Sequence, residues 1–345
     1  MAPRLRESNR RADSIVPVNE EPMPEITDPP PQAVLDDLAA LQPLLAALPA
    51  KTPGDNLLIA TWNIRAFGDL TKAWASQPGD SPRRDFHACV LIAEILSRFD
   101  VIAVQEVKAN LRALRHTLKK MGPEWGFVMT DVTEGDPGNG ERLAFIFDTR
   151  RVRLSGLACE LVVPEDLDSP LSTPANAFQR QFVRTPYAVS FLAGEQTFVL
   201  VTLHVIYGQT GADRLAELTG IAKWLRNWAE RTDDYGQNLI CMGDFNIDRH
   251  GDPTWQAFTS TGLTPAPGLE LVPRTLFSSP SEPHLEKFYD QIAWFQTVKN
   301  KPYLSMDFRR AGGLNFVGQV LPGLTKTELS WRLSDHLPLW VEFGL

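Results

Sequence analysis

The sequence has 345 residues, of which 43% are hydrophobic and 22% are charged, and its formal net charge is −8 at pH 7. This composition is typical of a globular protein with a large core, and it argues against a protein that holds nucleic acid by positive charge alone. No apolar run approaches the ~18 residues that a membrane-spanning helix needs. The polar N-terminus does not resemble a secretory signal, so we expect a cytoplasmic protein.

Three cysteines are spaced far apart in apolar surroundings: Cys89, Cys159 and Cys241. We predict that they are reduced core residues, with a disulfide between two of them as the alternative.

The N-terminal region differs from the rest of the chain. Residues 1–32 are rich in Pro, Glu, Asp and Arg, and we expect a disordered or loosely attached arm. Residues 33–54 are predicted to form a helix, over Ala33–Leu48, and a linker. This helix is expected to dock on the following domain, with binding of a partner protein as the alternative. Residues 55–345 are predicted to form the main domain.

Short β-prone segments outnumber helices in this domain. Strands are predicted at Leu57–Trp62, Val101–Gln105, Leu143–Phe147, Tyr187–Leu192, Thr197–Leu203, Leu239–Met242, Gln291–Phe295 and Leu337–Phe343, and helices at Cys89–Ser97 and Arg214–Ala229. Neighbouring strands often follow each other without a helix between them. We therefore predict two packed β-sheets, mostly antiparallel or mixed, flanked by helices: a four-layer α/β sandwich.

Six of the predicted strands carry a carboxylate, carboxamide or imidazole at one end. These residues are Asn63, Glu106, His204, Asp244, Asn246, Asp290, Asp335 and His336. If the strand ends converge, they form a cluster of hard oxygen ligands suited to Mg²⁺, Mn²⁺ or Ca²⁺. The histidines can transfer protons beside it. Each residue alone has a simpler explanation, as a turn former, helix cap or interior histidine, so the prediction depends on all six segments together.

Six short strings join these residues to their neighbours. They are Trp62-Asn-Ile-Arg-Ala-Phe-Gly68, Gln105-Glu-Val-Lys108, Thr202-Leu-His204, Met242-Gly-Asp-Phe-Asn246, Tyr289-Asp-Gln-Ile292 and Ser334-Asp-His-Leu-Pro338. In this order they resemble the endonuclease/exonuclease/phosphatase family, and most closely its deoxyribonuclease I-like branch. The resemblance spans residues 57–343 and implies a four-layer sandwich that hydrolyses DNA phosphodiesters. It also implies Mg²⁺ as the cofactor, with Mn²⁺ or Ca²⁺ as alternatives.

The resemblance implies roles for the oxygen-bearing residues. Glu106, Asn63 and Asp335 correspond to metal ligands. Asp244 and Asn246 correspond to the pair that binds phosphate or orients the attacking water, with a second metal ion as a further role.

The resemblance also identifies two catalytic histidines. His336 corresponds to a histidine oriented by Asp290, and His204 to one paired with Glu141. A carboxylate on the far ring nitrogen fixes the tautomer and raises the basicity of the imidazole. We favour His336 as the base, while the assignment of acid and base between the two histidines stays open.

Four further residues correspond to substrate contacts of the branch: Arg65, Arg184, Lys108 and Tyr289. Cations at these positions are expected to bind backbone phosphates, with pairing to nearby carboxylates as the alternative. Lys108 replaces an arginine of the branch, which keeps the charge but loses the bidentate fork.

Other positions depart from the branch. Asn139 replaces a tyrosine that stacks in the DNA minor groove, and Asp136 replaces an arginine, which would weaken duplex binding. Pro164–Gln181 is predicted to be an additional loop that reshapes the groove. A phosphatase of inositol phosphates, a phospholipase-type phosphodiesterase and an RNA nuclease therefore stay as alternatives on the same site. A catalytically silent binding module is the alternative from another class, and we expect a monomer.

Overall fold

The computed structural model describes residues 23–133, 139–161, 182–231, 238–279, 281 and 286–345. Residues 1–22 of the predicted arm, Asp136 and the predicted loop Pro164–Gln181 lie outside these ranges. In the described part of the chain, no helix has the length and apolar character that crossing a membrane requires.

The first sheet has six strands within the described ranges. They are β1 (Asn56–Phe67), β2 (Val101–Lys108), β3 (Trp125–Met129), β4 (Glu141–Asp148), β13 (Asp307–Gly313) and β14 (Leu339–Gly344), in the order β13-β14-β1-β2-β4-β3. Strands β1 and β2 are parallel, and their other neighbours are antiparallel. This sheet is therefore mixed, as predicted.

The second described sheet also has six strands. They are β5 (Arg153–Glu160), β6 (Tyr187–Ala193), β7 (Gln196–His204), β8 (Leu239–Ile247), β9 (Leu263–Pro265) and β10 (Phe288–Phe295), in the order β5-β6-β7-β8-β10-β9. Strands β7 and β8 are parallel, and the other pairs are antiparallel. Two short strands, β11 (Thr297–Val298) and β12 (Lys301–Pro302), form a separate hairpin.

Helices cover the outer faces of both sheets. They are α1 (Gln32–Ala46), α2 (Phe86–Leu96), α3 (Arg112–Met121), α4 (Ala212–Glu230), α5 (Pro253–Thr259) and α6 (Lys326–Arg332). Strand β1 shows why the strands are apolar on both faces: Leu57 and Ile59 face the core between the sheets, while Leu58 and Ala60 face the core under α1 and α2. A third core lies between the second sheet and α4 with α5. The four-layer α/β sandwich is confirmed.

Helix α1 docks on the domain. Val34, Leu41 and Leu45 are buried in the core shared with α2, and the carboxylate of Asp37 lies 2.9 Å from Nε2 of His87. Ile26, which the sequence placed in the loosely attached arm, is also completely buried in this core. The packed part of the chain therefore begins before the predicted boundary at residue 32.

The three cysteines are free thiols, so the disulfide alternative does not occur. Cys89 and Cys241 are buried, and burial raises the pKa of the Cys89 thiol to about 12. Cys159 is only half-buried, so its assignment to the core was wrong. It lies on β5, an edge strand whose first four residues are exposed and whose last four alternate between partly buried and exposed positions.

Candidate active site

The polar strand ends converge at one edge of the sandwich. In the parallel pair β1 and β2, Asn63 lies opposite Gln105, next to Glu106. In the second sheet, His204 lies opposite Asp244, which lies opposite Asp290 on β10. The amide Nδ2 of Asn63 donates a hydrogen bond of 3.0 Å to Oδ2 of Asp244 and so joins the two sheets. The convergence that the sequence predicted only conditionally therefore occurs.

A cleft of about 570 Å³ opens at this edge. Its lining includes most of the predicted site residues: Glu106, Glu141, Arg184, His204, Asp244, Asn246, Tyr289, Asp335 and His336. Asn63 and Asp290 lie behind the lining as completely or almost completely buried side chains. Arg65 and Lys108 are absent from the lining.

Four buried oxygens of the cluster have no hydrogen-bond partner among the described residues, and two of them belong to predicted metal ligands. These two are Oδ1 of Asn63 and Oδ1 of Asp335. Glu106 adds a carboxylate, one oxygen of which accepts a hydrogen bond of 2.8 Å from the backbone N–H of Ala66. Buried polar oxygens without partners are costly, and a hard divalent cation is the partner that such oxygens prefer. These residues therefore fit a divalent metal ion.

A second group of ligand atoms is also compact, because atoms of Glu106, Glu141 and His204 lie within 4.8 Å of one another. The carboxylate of Glu141 is already surrounded by donors: Arg184 Nε lies 2.5 Å away and Lys108 Nζ lies 2.9 Å away. A carboxylate shared by two cations attracts a metal ion weakly. The second group is therefore less suited to a metal ion than Glu106, Asn63 and Asp335.

His336 is held by a buried carboxylate. Its Nδ1 lies 2.6 Å from Oδ2 of Asp290, and its Nε2 lies 3.7 Å from Oδ2 of Asp244. Burial opposes the protonated imidazole, but the charges of Asp290 and Asp244 outweigh burial and raise the pKa of His336 well above its usual value. Burial raises the pKa of Asp290 to about 6, although the nearby imidazole opposes this shift.

His204 has a corresponding arrangement on the other side of the cleft. Its Nδ1 lies 3.1 Å from Oε2 of Glu141, and its Nε2 lies 3.5 Å from Oδ2 of Asp244. Burial would raise the pKa of Glu141, but the contacts with His204, Arg184 and Lys108 lower it far below its usual value. Both histidines therefore direct Nε2 toward one carboxylate oxygen of Asp244.

The backbone of the Met242–Asn246 string fixes that carboxylate. Oδ1 of Asp244 accepts a hydrogen bond of 2.9 Å from the N–H of Asn246, whose amide donates to the carbonyl of Val205 at 2.7 Å. Gly243 has φ +133°, and a Cβ there would lie 2.1 Å from the carbonyl oxygen of Leu203. Only glycine allows β7 and β8 to approach this closely at the site.

All three predicted phosphate-binding cations have protein partners in this structure. Arg184 and Lys108 contact Glu141. Arg65 lies 3.7 Å from Asp335, donates to Ser330 at 2.7 Å and stacks on the ring of Trp331. The alternative, pairing with carboxylates, therefore occurs at all three residues, and phosphate contact at these residues stays a prediction. Tyr289 lies at the cleft beside His336, with ring centroids 5.8 Å apart.

Several residues of the site were missed by the sequence analysis. Ser334 donates to the carbonyl of Asn63 at 2.6 Å and accepts from the N–H of His336 at 3.1 Å, which joins two ligand-bearing segments. Its place in the Ser334–Pro338 string was the available signal. Tyr207 and Phe277 line the cleft with side chains that are 54% and 53% exposed. Single aromatic residues in loops carry no periodic signal.

Buried Arg84 was also missed. Its guanidinium donates to the carbonyls of Arg65 at 2.6 Å and Ala66 at 2.8 Å, both on β1. It also donates to those of Arg332 at 3.1 Å and Leu333 at 3.0 Å, just before Asp335 in the chain. It therefore fixes the two segments that carry Asn63 and Asp335.

A four-layer sandwich with carboxylates, an amide and two carboxylate-paired histidines at one sheet edge is the architecture of a class of metal-dependent phosphoesterases. The chain belongs to the endonuclease/exonuclease/phosphatase family, whose model matches residues 60–336.

Two curated relatives carry more specific names. The chain is 28% identical to a deoxyribonuclease of Thioalkalivibrio sp. (strain K90mix) over 214 residues, which cover 61% of this chain and only about half, 51%, of that protein. It is 26% identical to deoxyribonuclease-1 of Canis lupus familiaris, over 83% of this chain and 90% of that protein. Among solved structures, a Bacteroides thetaiotaomicron mannosyl-6-phosphatase shares the fold with a TM-score of 0.53 and 18% identity, over 84% of this chain and all of that one.

Proposed function

We propose that this protein is a divalent-metal-dependent phosphodiesterase that hydrolyses the backbone of DNA as an endonuclease. The observation that carries the proposal is the position of Asp244, whose Oδ2 lies 3.5 Å and 3.7 Å from Nε2 of the two carboxylate-paired histidines. Such a geometry can bind and orient a water molecule and a phosphoryl group between two proton-transferring side chains.

Each residue of the cluster has a chemical task in this proposal. Glu106, Asn63 and Asp335 would hold the metal ion. When bound, the ion supplies positive charge that polarises a phosphoryl oxygen and offsets charge in the transition state.

The two histidines and Asp244 would carry the proton transfers. Asp244 orients the attacking water, and the neutral form of His336 accepts its proton at Nε2, while Asp290 on Nδ1 stabilises the imidazolium that forms. His204, held by Glu141, donates a hydrogen bond to the phosphoryl group from the opposite side and assists departure of the leaving oxygen.

The negative charge of the cleft favours a phosphodiester over a phosphomonoester as the substrate. Among its described lining residues there are five carboxylates, Glu106, Glu141, Asp244, Glu286 and Asp335, but only two Lys or Arg side chains, Arg184 and Lys287. Both cations are already paired, with Glu141 and Asp248. A singly charged phosphodiester would meet less repulsion from these carboxylates than a dianionic phosphomonoester, and a bound divalent cation would offset part of it in either case.

DNA is the substrate that the relatives favour. The two curated relatives named above are deoxyribonucleases, and one aligns over nine-tenths of its length. One protein with the same fold is named a mannosyl-6-phosphatase, so similarity of fold alone does not identify the substrate.

The test is hydrolysis by purified protein with Mg²⁺, Mn²⁺ or EDTA, on plasmid DNA, DNA and RNA oligonucleotides, and a panel of inositol and sugar phosphates. We expect metal-dependent nicking of DNA that is lost in His336→Ala and retained in His250→Ala. His250 is an exposed histidine that contacts the ring of Trp255 and does not line the cleft, so it controls for loss of an imidazole. Phosphate release from the panel without DNA cleavage would contradict the proposal.

A further inference from the structure

A second concave surface lies beside the active-site cleft, where β2 leads into α3. It has a volume of about 460 Å³, and four of its lining side chains are basic: Lys72, Arg112, Arg115 and His116. We call this surface the basic pocket. Its basic side chains come from two separate segments, the loop after β1 and helix α3, so it is a product of the fold and not of one charged run.

Positive charge exceeds negative charge in the basic pocket, although the whole chain has a net charge of −8. Arg112 pairs with Asp69 at 2.5 Å. Lys72 and Arg115 are exposed and form no ion pair with any residue of the described ranges. Two cations are therefore available to an external anion.

The surroundings of His116 also carry an excess of positive charge. Its Nδ1 is buried and has no hydrogen-bond partner among the described residues. Burial lowers the pKa of His116, and the neighbouring cations Lys72, Lys119 and Arg112 lower it further, against the weaker opposing effect of Glu25. The N-terminus of α3, which has no side-chain cap on Leu111, adds its partial positive charge to this region.

The basic pocket lies close to the cleft along β2 and the segment that follows it. Glu106 lines the cleft, and Ala109, only three residues further along the chain, lines the basic pocket. Three residues of extended chain span roughly 10 Å. One strand of duplex DNA carries a phosphate every ~3.4 Å along the axis, so this distance corresponds to about three phosphates.

We propose that the basic pocket binds backbone phosphates of the nucleic-acid strand whose scissile phosphate occupies the cleft. This inference rests on the proposed function, because it takes a phosphodiester polymer as the substrate. It assigns to Lys72 and Arg115 the contact with the polyanion, and it explains how an acidic protein retains such a substrate beside an acidic catalytic cleft.

The test compares the double variant Lys72→Gln/Arg115→Gln with a matched control. The control, Arg153→Gln/Lys301→Gln, removes the same charge from two exposed side chains outside the basic pocket, one on β5 and one on β12 of the separate hairpin. Binding of a fluorescent DNA duplex is measured by anisotropy at several salt concentrations, with His336→Ala in every protein so that DNA is not consumed. Arg112 is left unchanged because it already pairs with Asp69.

Each phosphate contact contributes about 0.9 to the slope of log affinity against log salt, so we expect the pocket variant to reduce the slope by about 1.8. Its Kd at about 0.1 M salt should rise tenfold or more, and the control should change little. With His336 intact, hydrolysis of bis(p-nitrophenyl) phosphate should be unaffected, since this small diester cannot reach the basic pocket. Competition by inorganic phosphate alone, at millimolar concentration, should be weak, because one anion cannot bridge the pocket and the cleft.

An unchanged slope in the pocket variant, or an equal change in the control, would overturn the inference. Failure of the proposed function would be seen in a different measurement: the protein with an unaltered active site would cleave no DNA with any metal. The binding measurement does not depend on cleavage, so the two failures are distinguishable.

Discussion

Oδ2 of Asp290 lies 2.6 Å from Nδ1 of His336, and the two side chains are only 1% and 11% exposed. This contact fixes the imidazole so that its other nitrogen faces Asp244 across the cleft. Asp290 does not line the cleft, so we expect its carboxylate to affect activity through His336.

Asp290→Asn should therefore lower kcat by roughly 10² to 10⁴-fold, because the amide can no longer select the tautomer or stabilise the protonated ring. KM should change little, since Asp290 does not line the cleft. The measurement is steady-state hydrolysis of a phosphodiester, with Asp307→Asn on the exposed edge strand as the control. A variant with near-normal kcat would show that His336 needs no carboxylate partner.

Metal binding is testable without any turnover. A ligand that binds the folded state raises its melting temperature, so Mg²⁺ or Mn²⁺ should stabilise the natural protein. Glu106→Gln should abolish most of this thermal shift and lower metal-dependent hydrolysis by at least about 100-fold. Glu195→Gln, an exposed acid on the β6–β7 turn, should retain the full shift. An undiminished shift in the Glu106 variant would contradict a metal site at this residue, since Glu106 belongs to both candidate ligand groups.

The sequence predicted the central strands correctly because each is an apolar run buried on both faces. The missed elements have the opposite character. Strand β13, Asp307–Gly313, lies at a sheet edge and has few buried side chains, and helix α3, Arg112–Met121, is short and strongly polar. Strand β13 gives no periodic apolar signal. Helix α3 does give one, because Leu114, Leu118 and Met121 recur at helical spacing, and the sequence analysis missed it.

The site was predictable in part for a similar reason. Its catalytic residues follow strand ends, so strings such as Ser334–Pro338 identify them. What the sequence could not supply is the pairing across the two sheets: the hydrogen bond from Asn63 to Asp244 joins residues 181 positions apart. It also could not show that Arg65, Arg184 and Lys108 have protein partners, because each partner carboxylate lies on another strand or loop.

Arg84 provides a test of how firmly the two ligand-bearing segments are held. Lysine in its place keeps the charge but cannot span four carbonyl groups, so Arg84→Lys should lower the free energy of unfolding by about 2–4 kcal/mol. Activity at saturating metal should also fall, since the Asn63 and Asp335 segments lose their common donor. Urea denaturation gives the stability difference, and Arg226→Lys, in an exposed pair with Glu230, should cost less than about 0.5 kcal/mol. Equal effects of the two substitutions would contradict the role of Arg84.

Asp148 predicts a specific dependence of stability on pH. Its side chain is 1% exposed and lies 2.8 Å from both Lys51 and Arg150. Burial would raise its pKa, but hydrogen bonds from Arg150 and Lys51 lower it well below the usual value. A carboxyl group whose pKa is lower in the folded state stabilises the fold above its unfolded pKa, near 3.9, and this contribution is lost as the pH falls.

Asp148→Asn should therefore be less stable than the natural protein by about 2 kcal/mol at pH 7, and this difference should shrink below about pH 4. Urea midpoints at a series of pH values measure the difference. Asp55→Asn is the control, because Asp55 pairs with Arg309 at an exposed position where solvent screens the interaction, so its effect should be much smaller. If the difference for Asp148→Asn stayed constant down to pH 3, packing rather than the ion pair with Lys51 and Arg150 would account for its stabilising role.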